Sequence, residues 1–277
     1  MLLQSFKDEF ELPEKGAWTT PAAPGQVLHP ATDEAERLHP ESQSVYRSGV
    51  GKLLHLMRWS RPEICNAVRE LSRYMTGATI AHYQLMLRVL KYCVSTPNRG
   101  KVLRPMRKGN DPKTFEFVIS GKADSDFGKD PHQRRSVSGN ATFLEGMPIS
   151  TRSKMQGAVT LSVTEAEYVA ATEEAQDMLF TMRLLESIGL KVKKPMILQI
   201  DNKGAVDLSN NWSAGGRTRH IDVKHYFLRE MKEEGIIKLE WIPTDTNETD
   251  IFTKNCDGAT FDRHTQAYCG KDEYNNT

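Results

Sequence analysis

Ser162 to Phe180 reads SVTEAEYVAATEEAQDMLF, with two glutamates two residues apart at the head of an alanine-rich run. Ala171, Ala175, Met178, Met182 and Leu185 recur at spacings of four, three, four and three, which predicts one apolar stripe on a helix from about residue 164 to 188. At roughly 100° per residue, Glu167 lies about 40° from Ala171, within the stripe, and Glu165 about 120° away, at its edge or in solvent. Glu165 reads as an acid favoured by the helix dipole in the first turn. Glu167 points inward, where a lone carboxylate is costly unless it is paired or binds a metal. The plainer alternative for it is a boundary carboxylate hydrogen-bonded to a neighbouring strand. Alanines at 170, 171 and 175 would let this helix approach a sheet closely.

The segments around that helix supply the sheet. TFEFVIS, from Thr114, reads as a strand that ends at GKADSDFG, and SVSGNATFLEG with MPISTRSK as a hairpin turning at Glu145 and Gly146. Gly189 suits a left-handed helix cap. KPMILQID is an apolar strand ending in Asp201, KGAVDLSN a short helix, and HIDVKHYFLREMKEEG a longer one stopped by Gly235. IIKLEWIP is a fifth strand, and TNETDIFTK a last short helix. Strand, strand, strand, helix, strand, helices, strand, helix describes an α/β domain with a five-stranded mixed sheet and flanking helices.

Upstream, residues 1–44 are rich in Pro, Glu, Ser and Thr and predict an extended lead-in. Residues 45–110 carry two helical stripes: Ile64, Val68, Leu71, Met75, and Tyr83, Met86, Leu90, Cys93. Pro62 suits a first turn and TGAT separates the two, giving a small helical segment. The α/β domain is expected over 111–256, followed by a tail over 257–277.

A net charge of +1 on 277 residues excludes a strongly basic tail, so nucleic-acid contact must come from local patches. The four cysteines follow no CxxC pattern, which favours a reducing compartment over a disulfide scaffold. Cys256, His264 and Cys269 lack zinc-finger spacing. No apolar run approaches the roughly 20 residues that span a bilayer, and the N-terminus turns acidic too early for a signal peptide. The chain is expected to be soluble and intracellular, without a membrane partner.

Asp124 and Asp126 fall at the end of the first strand, Asp201 at the end of a later one, and Asp250 on the last helix. With Glu167 these acids converge from four elements, and such a set repels itself unless cations lie between. Oxygen-only ligands suit Mg²⁺ or Mn²⁺. Two such ions about 4 Å apart can align a water on one side of a phosphodiester and stabilise the leaving oxygen on the other.

The motifs resemble the C-terminal part of copia-type retrotransposon polyproteins, the reverse transcriptase connection segment followed by the ribonuclease H domain. YRSGVGKLLHLMRWSRPEICNAVRELSRYM looks like the connection signature. ADSDFGKDPHQRRSVSGNATFL resembles the family's SDADW…RKSTSG run. LSVTEAEYVA is similar to LSSTEAEY, QIDNKGAV to CDNQSAI, RTRHIDVKHYFLRE to RTKHIDIRYHFIRE and ETDIFTK to LADILTK, in family order from about Tyr46 to Lys254. The resemblance implies a ribonuclease H-like fold. It implies metal-binding catalytic acids at Asp124 (rather than Asp126), Glu167, Asp201 and Asp250, two Mg²⁺ or Mn²⁺ ions, and hydrolysis of the RNA strand of an RNA–DNA hybrid. DNA would be spared because the class reads 2′-hydroxyls. The rest of the reverse transcriptase is an implied partner, and a cytoplasmic retrotransposon particle or the nucleus the implied place.

Arg134, Arg135, Ser136, Ser138, Arg152, Lys154, Asn202, Arg217, Arg219 and His220 are the candidate nucleic-acid contacts; phosphate contacts of this kind position a duplex without reading its sequence. The alternatives are solvated loop charges for the basic residues, a role within the hairpin for Ser136 and Ser138, and a helix cap or solvent for His220. Trp212 and Trp241 read as packing residues. The sequence departs from the family at Phe127, where an indole or phenol is common, at TKNCDG, and in the loop between Trp241 and Asp250, which has no histidine; His220 is a candidate substitute. The polymerase motif YVDD is absent from the chain. Two other readings compete: a catalytically silent remnant acting as a nucleic-acid-binding or structural module, and another nuclease or integrase of the superfamily, against which the four-acid set and TEAEY argue.

Overall fold

A computed structural model describes residues 2–12, 18–109, 111, 114–211 and 219–270, with the side chains of 210–225 outside the description. The chain divides into two compact units, Met1–Lys101 with Lys254–Thr277, and Val102–Thr253.

The first unit is helical: α1 (Leu2–Phe10), α2 (Pro40–Trp59), α3 (Cys65–Ser72), α4 (Ile80–Ser95) and α9 (Gly258–Cys269). Both predicted stripes face inward, with Ile64, Val68, Leu71, Met86, Leu90 and Cys93 fully buried and Met75 and Tyr83 half-buried at their ends. Pro62 opens a 3-10 turn before α3. Three corrections follow. The lead-in is not extended throughout, since α1 lies within it; α2 adds a third helix to the expected pair; and residues 258–269 form a helix that groups with this unit. α2 is hard to read because Gly49 and Gly51 lower helix propensity. Gly49 has a packing role: a Cβ there would lie 2.4 Å from Sδ of Met86, so its absence lets α2 and α4 approach. α9 is held by its own cap, Asp257 accepting from the N–H groups of Ala259 and Thr260, and by Phe261 edge-on to Tyr92 at 5.9 Å.

The second unit contains β1 (Glu116–Phe117), β2 (Ile119–Asp126), β3 (Val137–Leu144), β4 (Met147–Met155), α5 (Val163–Ser187), β5 (Lys191–Val192), β6 (Met196–Ile200), α6 (Lys203–Asn211), α7 (Arg219–Glu233), β7 (Ile237–Trp241) and α8 (Asp250–Thr253). Its main sheet has five strands in the order β4-β3-β2-β6-β7. β2, β3 and β4 are antiparallel neighbours, whereas β6 runs parallel to β2 and β7 parallel to β6. β1 and β5 form a separate two-stranded parallel ribbon. The expected sheet is present; the first strand, expected as one run from Thr114, is broken into β1 of the ribbon and β2 of the main sheet, and the other four strands lie near their predicted places. The hairpin turns at Glu145 and Gly146, both at positive φ (51° and 77°). Such a turn favours residues tolerant of the left-handed region; the Glu145 carboxylate is tied to Arg107 at 2.6 and 2.9 Å and to the Val118 N–H at 2.7 Å.

Ser162 caps α5, its hydroxyl accepting from the Glu165 N–H, and Glu165 in turn accepts from the Leu161 N–H at 2.7 Å. Glu165 thus does the work of a helix start. Ala171, Ala175, Met178 and Met182 pack onto Ile119, Ala123, Leu198 and Ile200 of the sheet. Gly189 ends the helix at φ 82°, as its sequence position predicts. No helix of the described residues is long and apolar enough to cross a membrane.

Candidate active site

In a parallel pair, strands end side by side, and the crevice beyond their carboxyl ends is where α/β sheets place ligands. β2 pairs with β6 through Lys122↔Gln199. Continuing that register by two residues brings Asp124 level with Asp201, just past the end of β6. Glu167, in the second turn of α5, reaches the same place: its Oε1 accepts from the backbone N–H of Ser125 at 3.0 Å and from the Ser125 hydroxyl at 2.9 Å. Oxygen atoms of Asp124, Glu167 and Asp201 all lie within 4.8 Å of one another. Asp124 and Glu167 are buried, with 1% and 3% exposure.

Asp126 is not part of this group; its carboxylate pairs with Lys129 at 2.8 Å. Asp250 is buried at the first position of α8 but does not belong to the group within 4.8 Å. What α8 does bring to Asp124 is Thr253, whose hydroxyl donates to Oδ2 of Asp124. The segment is seated by Asn247, whose side chain donates to the Ala123 carbonyl at 2.9 Å, and by close approach to β3 at Gly139. Asp201 is held from β7: the Trp241 indole N–H donates to its carbonyl at 3.0 Å.

Three carboxylates at such range are unfavourable in a dry site. Burial first, then the Asp124 and Asp201 carboxylates, push the Glu167 acid well above its ordinary range, against the two hydrogen bonds from Ser125. Oε2 of Glu167 is buried and has no hydrogen-bond partner. An all-carboxylate donor set with an unmatched oxygen fits a hard divalent cation such as Mg²⁺ or Mn²⁺. These residues fit the metal that the sequence implies.

The candidate nucleic-acid contacts divide. Arg134 is exposed and Arg135 half-buried, on the loop between β2 and β3, where Asp130 accepts from the N–H groups of His132 and Gln133. Ser136 and Ser138 are fully buried. Ser136 shares a hydrogen bond with Thr160 and accepts from the Gly128 N–H, and Ser138 accepts from the Gln156 amide; of their two readings, the role within the hairpin fits this burial and the contact role does not. Arg152 and Lys154 pair with Asp177 and Glu173 of α5. The Asn202 side chain caps α6 through the Ala205 N–H at 2.9 Å. The side chains of Arg219 and His220 lie outside the described residues, as do Arg217 and Trp212. Trp241, expected to pack, is 42% exposed. Sequence reading missed Ser125 and Thr253. Ser125 lies next to Asp124 and Thr253 three residues after Asp250, positions that become meaningful once the register is known.

Strand order, directions and the placing of α5 define this unit as a ribonuclease H-like domain. No family model matches the chain. It is 36% identical over 209 residues to the retrovirus-related Pol polyprotein from transposon TNT 1-94 of Nicotiana tabacum, covering 76% of this chain and 15% of that one. It is 32% identical over 241 residues to that from transposon RE1 of Arabidopsis thaliana, covering 85% and 15%. Secreted RxLR effector protein 161 of Plasmopara viticola is 39% identical over 132 residues, 48% of this chain and 87% of that protein. The chain belongs to the family of retrovirus-related Pol polyproteins of transposons, and spans about 15% of the length of the TNT 1-94 and RE1 relatives. Among solved structures, LC11-RNase H1, isolated from compost by a metagenomic approach, is 16% identical with a TM-score of 0.39, covering 53% of this chain and 96% of that chain. The same enzyme in complex with RNA/DNA hybrid is 18% identical with a TM-score of 0.38, covering 50% and 94%.

Proposed function

We propose that the Val102–Thr253 unit is a divalent-metal-dependent endonuclease that hydrolyses the RNA strand of RNA–DNA hybrids. The observation that carries this reading is the meeting of Asp124, Glu167 and Asp201 within 4.8 Å, from two neighbouring parallel strand ends and a helix.

Asp124, Glu167 and Asp201 would hold two Mg²⁺ or Mn²⁺ ions, with Asp250 as the fourth acid. Bound there, the ions would supply an activated water and charge stabilisation at the scissile phosphate, leaving a 3′ hydroxyl and a 5′ phosphate. The chain's own part is preorganisation. Ser125 fixes one oxygen of Glu167 and leaves the other for a ligand, Thr253 orients Asp124, and Trp241 holds the turn that presents Asp201. Selection of RNA over DNA would rest on 2′-hydroxyl contacts.

The test is cleavage of a labelled RNA–DNA hybrid with Mg²⁺ or Mn²⁺, beside Asp201→Asn and beside EDTA. Cleavage of the RNA strand that both changes abolish supports the reading. Hybrid binding without cleavage under any divalent ion would leave a nucleic-acid-binding module instead.

A further inference from the structure

We propose that Lys203, seated on the exposed face of Trp241, is a phosphate contact for the nucleic-acid strand lying beside the carboxylate group. This inference rests on the nuclease reading above and adds a substrate contact to it.

Lys203 is the first residue of α6, two residues after Asp201. Its ammonium lies 4.2 Å from the centroid of the Trp241 ring. That ring is itself fixed to the site, because its N–H donates to the Asp201 carbonyl at 3.0 Å. The ammonium is therefore tied to the neighbourhood of the acids twice, through the chain and through the indole. A lysine held on an aromatic face has lost much of the freedom that usually makes this side chain a diffuse contact.

Two further observations point outward. Basic side chains of the same unit, Lys122, Lys129, Arg152 and Lys154, are each paired with a carboxylate of the protein. Lys203 has no carboxylate partner among the described residues. It also sits in the first turn of a helix, the end at which the dipole disfavours a cation, so helix stability does not account for its place. Lys203 is exposed and Trp241 is 42% exposed. A cation and a flat apolar face side by side, next to a site built for phosphodiester chemistry, match a sugar–phosphate strand: phosphate on the ammonium, sugar or base on the ring.

The experiment measures binding of a fluorescently labelled RNA–DNA hybrid to the full chain in EDTA, across a KCl series, with thermal melts on every variant. Lys203→Met is expected to weaken binding several-fold and to lower the slope of log affinity against log salt by about one. Trp241→Ala should move both quantities the same way, and Trp241→Phe, which keeps an aromatic face, much less. A folded Lys203→Met with the wild-type affinity and slope overturns this inference and leaves the nuclease reading intact. A wild-type chain that neither binds nor cleaves the hybrid overturns both.

Discussion

Ser125 donates its backbone N–H and its hydroxyl to one and the same oxygen of Glu167, at 3.0 and 2.9 Å, while the other oxygen is buried without a hydrogen-bond partner. The carboxylate is thus oriented by its neighbour on β2 rather than by a countercharge. Ser125→Ala removes one of the two bonds and is expected to cost about 1 kcal/mol of stability. It should also weaken Mn²⁺ binding several-fold, because Glu167 gains freedom to turn. Calorimetric Mn²⁺ titration of the variant checks this, and an unchanged affinity would show that the backbone bond alone suffices.

Gly139 marks the close approach of α8 to β3. A Cβ there would come within 2.8 Å of Cγ2 of Thr253 and 2.9 Å of the Thr249 carbonyl oxygen. Gly139→Ala should therefore destabilise the unit by about 1–3 kcal/mol and pull the Thr253 hydroxyl from Asp124. Denaturant unfolding together with hybrid cleavage reads both effects. Unaltered stability and activity would mean that α8 shifts freely and does not orient Asp124.

Glu174 lies two turns beyond Glu167 on α5, fully buried, with Oε1 accepting from Thr142 at 2.7 Å and Oε2 without a partner. Burial pushes this acid well above its ordinary range; the Thr142 bond opposes the shift, the Asp177 carboxylate adds to it, and Arg152 lowers it. The folded state thus keeps the proton to higher pH than the unfolded state does. Stability is greatest below the unfolded value of about 4.3 and falls as pH rises towards the folded value, by about 1.4 kcal/mol for each pKa unit crossed. Glu174→Gln should flatten that part of the pH–stability curve and raise stability at the alkaline end relative to the unsubstituted protein. Thermal melts between roughly pH 5 and 8 give the answer; a variant that melts lower at the alkaline end would contradict it.

The basic residues divide into two groups that binding can separate. Arg134 and Arg135 form no ion pair among the described residues, whereas Arg152 and Lys154 pair with Asp177 and Glu173 of the protein itself. Replacing either Arg134 or Arg135 by Ala should lower the salt slope of hybrid binding by about one. Lys154→Ala should leave the slope unchanged and alter stability by less than about 1 kcal/mol. A slope that falls with Lys154 rather than with the loop arginines would reverse the assignment.

Much of this was legible in the chain because local periodicity writes the elements. The stripe from Ala171 to Leu185 placed α5 and turned Glu167 inward, and Glu145-Gly146 placed the hairpin turn. What was illegible has a common cause. Ser136 and Ser138 look like surface donors in sequence, and only the packing of α5 and the Gln156 segment over β3 buries them. α1 and α9 sit in stretches whose composition suggested an extended lead-in and a tail, and helix formation there depends on what they pack against.

The sequence by itself determined the succession of the main-sheet strands and the helices between them, the inward face of α5 and the family, since each is carried by short-range spacing or by motifs in order along the chain. Only the tertiary structure turned Asp126 onto Lys129, set Lys203 on Trp241, joined Thr253 to Asp124 and turned Arg152 and Lys154 onto acids of the protein's own helix. Those outcomes depend on strand register and on partners many residues apart, as with Asp124 and Thr253, 129 residues apart. A one-residue slip of a strand would turn each of its side chains to the other face of the sheet.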